Sequence, residues 1–472
     1  GGVPIGPQWF SAGGKFVLGA DTNGRDIAVR LLYGGINSLK IGIGSELICS
    51  FVAVVLSLPS LWSGLRLDDQ LHRAKLTGDA EWAHVRYGWW RLFEFIEGTP
   101  EEHSFLIEHG YGPWWLSPHL RLSFFRPLSS LTHALDYALW PKTPALMHAQ
   151  SILWYVALLC VANVAFRRWL PPRAANIAIL FYAIDPTHGI PVGWIANRNA
   201  LIAATLGFLA LLFWDRGRRW LAGGVYLLAL AAGESATGVL GFFFAHWLFM
   251  QRPRGRVTDL APPALATAAF TIVYKFGNYG VVGSGAYLDP LRSPLAYAAA
   301  AVHNVPILLG VELGGAPPDL HPFMPFAGKI AIVLLALALI GWTSWRMPKT
   351  NEMKFFALGA GIAVLPSAAT LPSGRLLLVA GFGLVAIVAT FVDQKISRPY
   401  AIWAWIGHVF LAPFLFLLNL ENMVLADTIM RDVAKGIPAD GSAADKRLVR
   451  VNAPEPVFTY YMLVDLLDDG RS

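Results

Sequence analysis

Apolar residues run along this chain in long unbroken blocks, not in the alternation of a half-exposed strand or the stripe of a surface helix. A helix needs about 20 mostly apolar residues to cross a bilayer. Eleven blocks reach or approach that length: roughly 41–62, 146–166, 174–190, 195–214, 219–233, 235–250, 259–276, 327–345, 355–371, 374–393 and 400–418. A further block at 295–313, around AYAAAAVHNVPILLG, is also long enough. Basic residues decide how it is counted, because Lys and Arg collect in cytoplasmic loops. The clusters are Arg167, Arg168 and Arg173; Arg216, Arg218 and Arg219; Arg252, Arg254 and Arg256; Arg346, Lys349 and Lys354; and Lys395 with Arg398. All fall on one side if the N-terminus is cytoplasmic, the C-terminus is outside and 295–313 is an interfacial or re-entrant helix on the outer face. The pattern therefore predicts an all-α polytopic membrane protein with about 11 transmembrane helices. A cytoplasmic segment at 1–40 precedes a transmembrane domain at 41–418, which holds a large first outer loop at 63–145. An extracytoplasmic tail follows at 419–472. Its stretch LVRVNAPEPVFTYYMLV alternates enough to predict a short β element, so the tail reads as a small α/β piece.

Composition agrees. A soluble chain of 472 residues would predict about three domains. Here 55% of residues are hydrophobic, only 14% are charged, and mean hydropathy is +0.49. Soluble proteins carry roughly a quarter charged residues, so this chain cannot cover a folded surface in water. Disorder, a coiled coil and a collagen-like repeat are excluded on the same grounds. The net charge of +6 follows from basic cytoplasmic loops and does not point to nucleic acid. The 18 Trp and 14 Tyr suit aromatic belts at the membrane surface. Cys49 and Cys160 lie in apolar runs and read as packed thiols. The chain begins at Gly1 without a methionine, as a fragment or processed product would, and shows no cleavable signal peptide.

Charges at membrane depth are costly and need a reason. Here they gather on the outer side. LRLDDQLHRA after the first block supplies Asp68, Asp69 and His72. LSFFRPLSSLTHALDYALW supplies Arg126, His133 and Asp136, and His148 follows. The corner AIDPTHGIPVGWIANRN holds Asp185, His188 and Arg198; GESATG holds Glu234; LPSGRLLL holds Arg375. Together they predict a polar cavity at the outer bilayer surface. Its carboxylates can act as a general base or hold a divalent cation, and its arginines can grip phosphate through two parallel bonds. Each residue also fits a plainer role: Asp68–Asp69 a solvated loop start, Arg126 and Arg198 snorkelling anchors, Glu234 a satisfied helix corner. His84, His103, His109 and His119 lack the spacing of a metal cluster, so no metal ligands are assigned. The Trp89–Trp90 and Trp114–Trp115 pairs fit membrane-surface packing or sugar stacking. Neither a Walker sequence, nor GxSxG, nor CxxC occurs. GIGIGS around Gly42 reads as close helix packing.

The layout resembles the GT-C superfamily of polytopic glycosyltransferases, which use lipid-linked sugars. Those enzymes place an acidic pair directly after the first span, where this chain has Asp68 and Asp69. The segment containing Arg126, Pro127, Leu128 and His148 looks like the stretch before the second span in the protein O-mannosyltransferase-like and tetratricopeptide-linked branches. Arg198 matches the next signature, while GESA lacks the Lys of the corresponding Lys–Glu pair. The resemblance covers about 65–393 and is nearest to bacterial proteins of this layout. It implies an inner-membrane glycosyltransferase of inverting type that moves sugar from a polyprenyl-phosphate donor to an extracytoplasmic protein or glycan. Asp68 and Asp69 would be catalytic. His72, Arg126, His148, Asp185, His188, Arg198, Glu234 and Arg375 would bind substrate.

Residues 16–45, FVLGADTNGRDIAVRLLYGGINSLKIGIGS, resemble something else: the N-terminal segment of dipeptide and oligopeptide ABC importer permeases. Gly19, Asp21, Gly24, Arg25, Asp26, Arg30 and the run Leu31–Gly34 carry the match, which stops near Ser60 without the permease coupling loop. It implies a transport subunit as the alternative function. A structural membrane protein whose outer charges pair with one another is the third reading.

Overall fold

A computed structural model describes residues 3–8, 15–77, 88–108, 112, 114–251, 255–285, 287–290 and 292–434. The chain divides into two compact units, Gly1–Val52 and Ala53–Ser472. The first helix, α1 (Ile27–Ser57), begins well ahead of the apolar block. In the first unit the DTNGRD sequence makes a side-chain-closed turn. Asp21 accepts from Asn23 N at 2.9 Å and Arg25 N at 3.0 Å, Gly24 takes a left-handed φ of +72°, and Asp26 accepts from Ala28 N at 2.8 Å to start α1.

The second unit opens with short helices and strands. They are α2 (Asp68–Thr77), β1 (Glu94–Ile96), α3 (Pro100–Glu108), β2 (Arg121–Ser123) and α4 (Pro127–Leu139). Then follow α5 (Pro144–Trp169), α6 (Pro172–Ala183), α7 (Gly189–Gly193), α8 (Arg198–Asp215), α9 (Arg219–Ala232), α10 (Val239–His246) and α11 (Ala261–Phe276). After β3 (Gly280–Val282) come α12 (Pro294–Glu312), α13 (Phe326–Arg346), α14 (Asn351–Ala363), α15 (Leu378–Asp393), α16 (Arg398–Trp405), α17 (Ala412–Leu420) and α18 (Asn422–Ala434). Among the described residues, seven helices are long and apolar enough to cross a membrane, and three shorter apolar ones accompany them. The chain is thus an all-α polytopic membrane protein by length and composition.

The described strands are the antiparallel order β1-β2-β3, three residues each. They belong to the 63–145 loop and the corner after α11. The expected β element at 448–464 lies outside the described residues, and the described part of the tail is helical. Leu71, Leu92, Phe93, Ile96, Leu106 and Leu120 close a separate small core over the sheet. Cys49 is buried as expected, but Cys160 is exposed; it sits on an apolar helix face that lipid can cover.

Side-chain contacts gather the helix corners into two poles. At one, Arg126 meets Glu234 at 2.7 Å, Tyr279 Oη donates to Glu94 at 3.2 Å, and Asn419 Nδ2 donates to Pro186 O at 2.8 Å. At the other, Arg168 and His246 meet Asp215 at 2.6 and 3.0 Å, and Arg346 donates to Ile396 O at 3.0 Å.

Helix α12 leaves and returns to the first pole. Tyr297 Oη donates to Leu365 O at 2.8 Å, and Asn304 Nδ2 donates to Thr370 O at 2.9 Å. Deeper, the Leu313 and Gly314 carbonyls accept from Tyr400 Oη at 3.2 Å and Trp403 Nε1 at 3.1 Å. Asp319 is back among first-pole residues, accepting from Ser373 Oγ at 2.6 Å. Tyr400 and Trp403 thus satisfy backbone carbonyls at the end of α12.

Candidate functional site

The acidic pair opens α2. Leu67, just before it, holds φ +47°, a left-handed conformation that costs a non-glycine residue about 1–3 kcal/mol. Packing against Ile190, Trp194 and Ala196 keeps it there. The two acids then differ. Asp69 is 2% exposed, and its carboxylate accepts from Ala196 N at 2.7 Å and Arg66 N at 3.0 Å. Burial pushes this carboxyl up to about 8, while those two bonds and Arg198 pull it down. Asp68 is half-buried at the same helix N-terminus.

Trp194 ties the pair to Arg375. Its indole N–H donates to Arg66 O at 3.3 Å, and the Arg375 guanidinium lies 5.7 Å from its ring centre. Arg375 is half-buried and makes no ion pair among the described residues. The scaffold beneath Trp194 is tight. A Cβ on Gly193 would stand 2.3 Å from Leu420 O, so only glycine lets α7 meet α17 this closely. Met423 and Ala426 of α18 pack on the same cluster.

The other two arginines are engaged. Arg126 caps α4, pairs with Glu234, and lies over Phe93 and Phe124 at 4.9 and 4.4 Å. Arg198 is fully buried. It bonds Asp136 at 2.6 Å, Ser151 Oγ at 3.0 Å and Met147 O at 2.6 Å, and also Gln150. Its donors are spent on α4 and α5. His72 and His133 lie with ring centres 5.0 Å apart and planes tilted by 48° beside Phe93, both 1% exposed. Burial first, then the surrounding cations, holds both imidazoles well below their ordinary value, so they are neutral.

The remaining expected residues make contacts of their own, and Thr187, between Asp185 and His188, packs against Gly374 beside Arg375. His148 Nε2 pairs with Gly64 O at 2.9 Å, which requires the Nε2–H tautomer. His188 Nδ1 is 3.2 Å from Tyr155 Oη. Asp185 accepts from Thr187 N at 2.8 Å and Thr187 Oγ1 at 2.7 Å, and the Glu312 carboxyl is close by. Sequence reasoning missed Trp194, Leu67 and Glu312. Glu312 had a signal, a single acid closing an apolar block; a lone tryptophan at a membrane surface has none. His84 and His109 lie outside the described residues, and His103 Nε2 pairs with Leu116 O at 3.1 Å. Trp89, Trp90, Trp114 and Trp115 are all exposed. Among the described residues no three His, Cys, Asp or Glu come together to hold a metal. Two apolar grooves, one at Arg398–Ile406 and one between α10 and α11, lie away from the acidic pair.

No family model matches this chain, and no curated protein does. Among solved structures it is similar to ArnT from Cupriavidus metallidurans bound to undecaprenyl phosphate. That likeness has 13% identity and a TM-score of 0.43 over 89% of this chain and 85% of that one. It is also similar to the Archaeoglobus fulgidus oligosaccharyltransferase in its apo form, at 13% identity and a TM-score of 0.46 over 88% of this chain and 61% of that one. The same enzyme tethered to an acceptor peptide gives 13% and 0.43 over 90% and 63%. At these values the likeness assigns neither residues nor chemistry.

Proposed function

We propose that this protein is a membrane glycosyltransferase that moves a sugar from a polyprenyl-phosphate donor to an extracytoplasmic acceptor, with the Asp68–Trp194–Arg375 pole facing outside. The GT-C resemblance of the sequence supports the class. The observation that carries the site is the contact chain from the acidic pair through Trp194 to Arg375, an arginine left without an acid partner among the described residues.

The chemistry divides among these residues. The Asp68 carboxylate takes the proton of the acceptor nucleophile as that atom attacks the anomeric carbon. The bond from that carbon to the phosphate oxygen breaks, and its electron pair leaves with the lipid phosphate. The Arg375 guanidinium stabilises the charge that develops there. Asp69 positions Asp68 by fixing the start of α2 against Ala196. Arg126 and Arg198 serve as structural ties, so phosphate recognition rests on Arg375.

Binding of a short-chain polyprenyl phosphate, followed by native mass spectrometry of protein in detergent, tests this reading. Arg375→Ala is expected to weaken it roughly tenfold or more, the loss of one charge-assisted hydrogen-bonded contact of about 1.5–3 kcal/mol. Arg375→Lys should restore it in part, because an ammonium cannot reproduce the guanidinium fork. Equal binding by wild type and Arg375→Ala would remove the phosphate role.

A further inference from the structure

The excursion from Pro294 to Phe323 carries a side-chain pair with no part in the site above. His303 is exposed on α12, and His321 is 7% exposed on the short helical turn Pro318–Phe323. Their Nε2 atoms stand 3.2 Å apart, with ring planes inclined by 65° and ring centres 4.8 Å apart. Rings aimed head-on at one another would have more widely separated centres. At least one ring axis is therefore inclined to the line joining the nitrogens, which leaves room for both lone pairs to serve a third atom.

The spacing fits one ion. Tetrahedral Zn–N bonds of about 2.0–2.1 Å put the ligand nitrogens about 3.3–3.4 Å apart. Imidazole nitrogen selects Zn²⁺ and its transition-metal neighbours over Mg²⁺ or Ca²⁺, which take oxygen. We infer that His303 and His321 form a two-histidine site for a divalent transition-metal ion, Zn²⁺ being the natural occupant. Since no third His, Cys, Asp or Glu joins them among the described residues, water completes the shell.

The ion would clip the descending limb of the excursion to its returning limb. Lys329 is the cation near His321. Asp319, two residues before His321, spends its carboxylate on Ser373 Oγ at 2.6 Å and Gly374 N at 3.0 Å. The clip therefore steadies the turn that presents Arg375, but its existence does not depend on the transferase reading.

The test uses detergent-purified full chain, stripped with EDTA and titrated with Zn²⁺ against a chromophoric chelator. Wild type is expected to bind one more zinc than His303→Ala or His321→Ala. Loss of either ligand should cost at least the roughly 10- to 100-fold in affinity that removing an outer partner does. Zn²⁺ should raise the melting temperature of wild type and leave that of both variants unchanged. His303→Gln separates a metal site from a simple ring–ring hydrogen bond, since glutamine keeps a hydrogen-bonding group but is a poor zinc ligand. Equal zinc stoichiometry in wild type and both alanine variants would overturn the site. So would a zinc-dependent melting shift that survives His303→Gln.

Discussion

Asp69 accepts two backbone N–H bonds inside the protein, and an asparagine amide accepts at only one oxygen. Asp69→Asn therefore leaves one buried donor unmet and is expected to cost about 1–3 kcal/mol of stability. Arg198→Ala should cost more, about 3–5 kcal/mol, because it strands the fully buried Asp136 carboxylate. Thermal unfolding of the two variants checks both; a melting temperature unchanged in Arg198→Ala would contradict the buried tie. The charged residues themselves were legible in the sequence, since a charge in so apolar a chain is conspicuous. Their partners were not. Arg198 finds Asp136 62 positions away, and Arg126 finds Glu234 108 positions away. Such pairings are set by helix packing, and no local pattern encodes them. So Arg126 and Arg198 read as phosphate ligands in the sequence, while in the fold Glu234 and Asp136 engage them.

Among elements, α2 and α4 are joined by a neutral histidine pair. The unfolded chain gains protons on His72 and His133 as pH falls through about 6.5, while the folded chain resists them. Stability from this pair is thus present above that value and lost below it, by up to about 1.4 kcal/mol per pH unit for each histidine. Asp69, with its raised folded value, shifts stability the opposite way between about 8 and 3.8. The informative quantity is therefore the difference between wild type and His72→Leu. Melting curves from pH 7.5 to 5.5 should fall less steeply in the variant; parallel curves would contradict the neutral pair. At this scale the long helices were readable, because twenty apolar residues have few other uses. The strands were not: three residues give too little alternation, and β3 joins its sheet from 159 positions beyond β2's start by tertiary pairing alone. Helix α12 was readable as a helix, and it is one of the seven long and apolar enough to cross.

For the whole molecule, the proposed orientation puts the Asp68 pole outside and the pole of the basic clusters inside. Glu101 is exposed on α3 at the Asp68 pole, and Arg216 is exposed at the pole of the basic clusters. In a Cys160→Ala background, a membrane-impermeant thiol reagent added to intact cells should label Glu101→Cys and spare Arg216→Cys. The reverse pattern would invert the map and place the acidic pair in the cytoplasm.

Sugar transfer tests the central claim most directly. Purified wild type in proteoliposomes, supplied with radiolabelled polyprenyl-phosphate sugars, should release lipid phosphate and pass label to an acceptor. Asp68→Asn should cut that rate by about 100- to 10,000-fold, the usual contribution of a general base, at an unchanged melting temperature. Transfer that persists at the wild-type rate in both Asp68→Asn and Arg375→Ala, with each protein folded, would contradict the account.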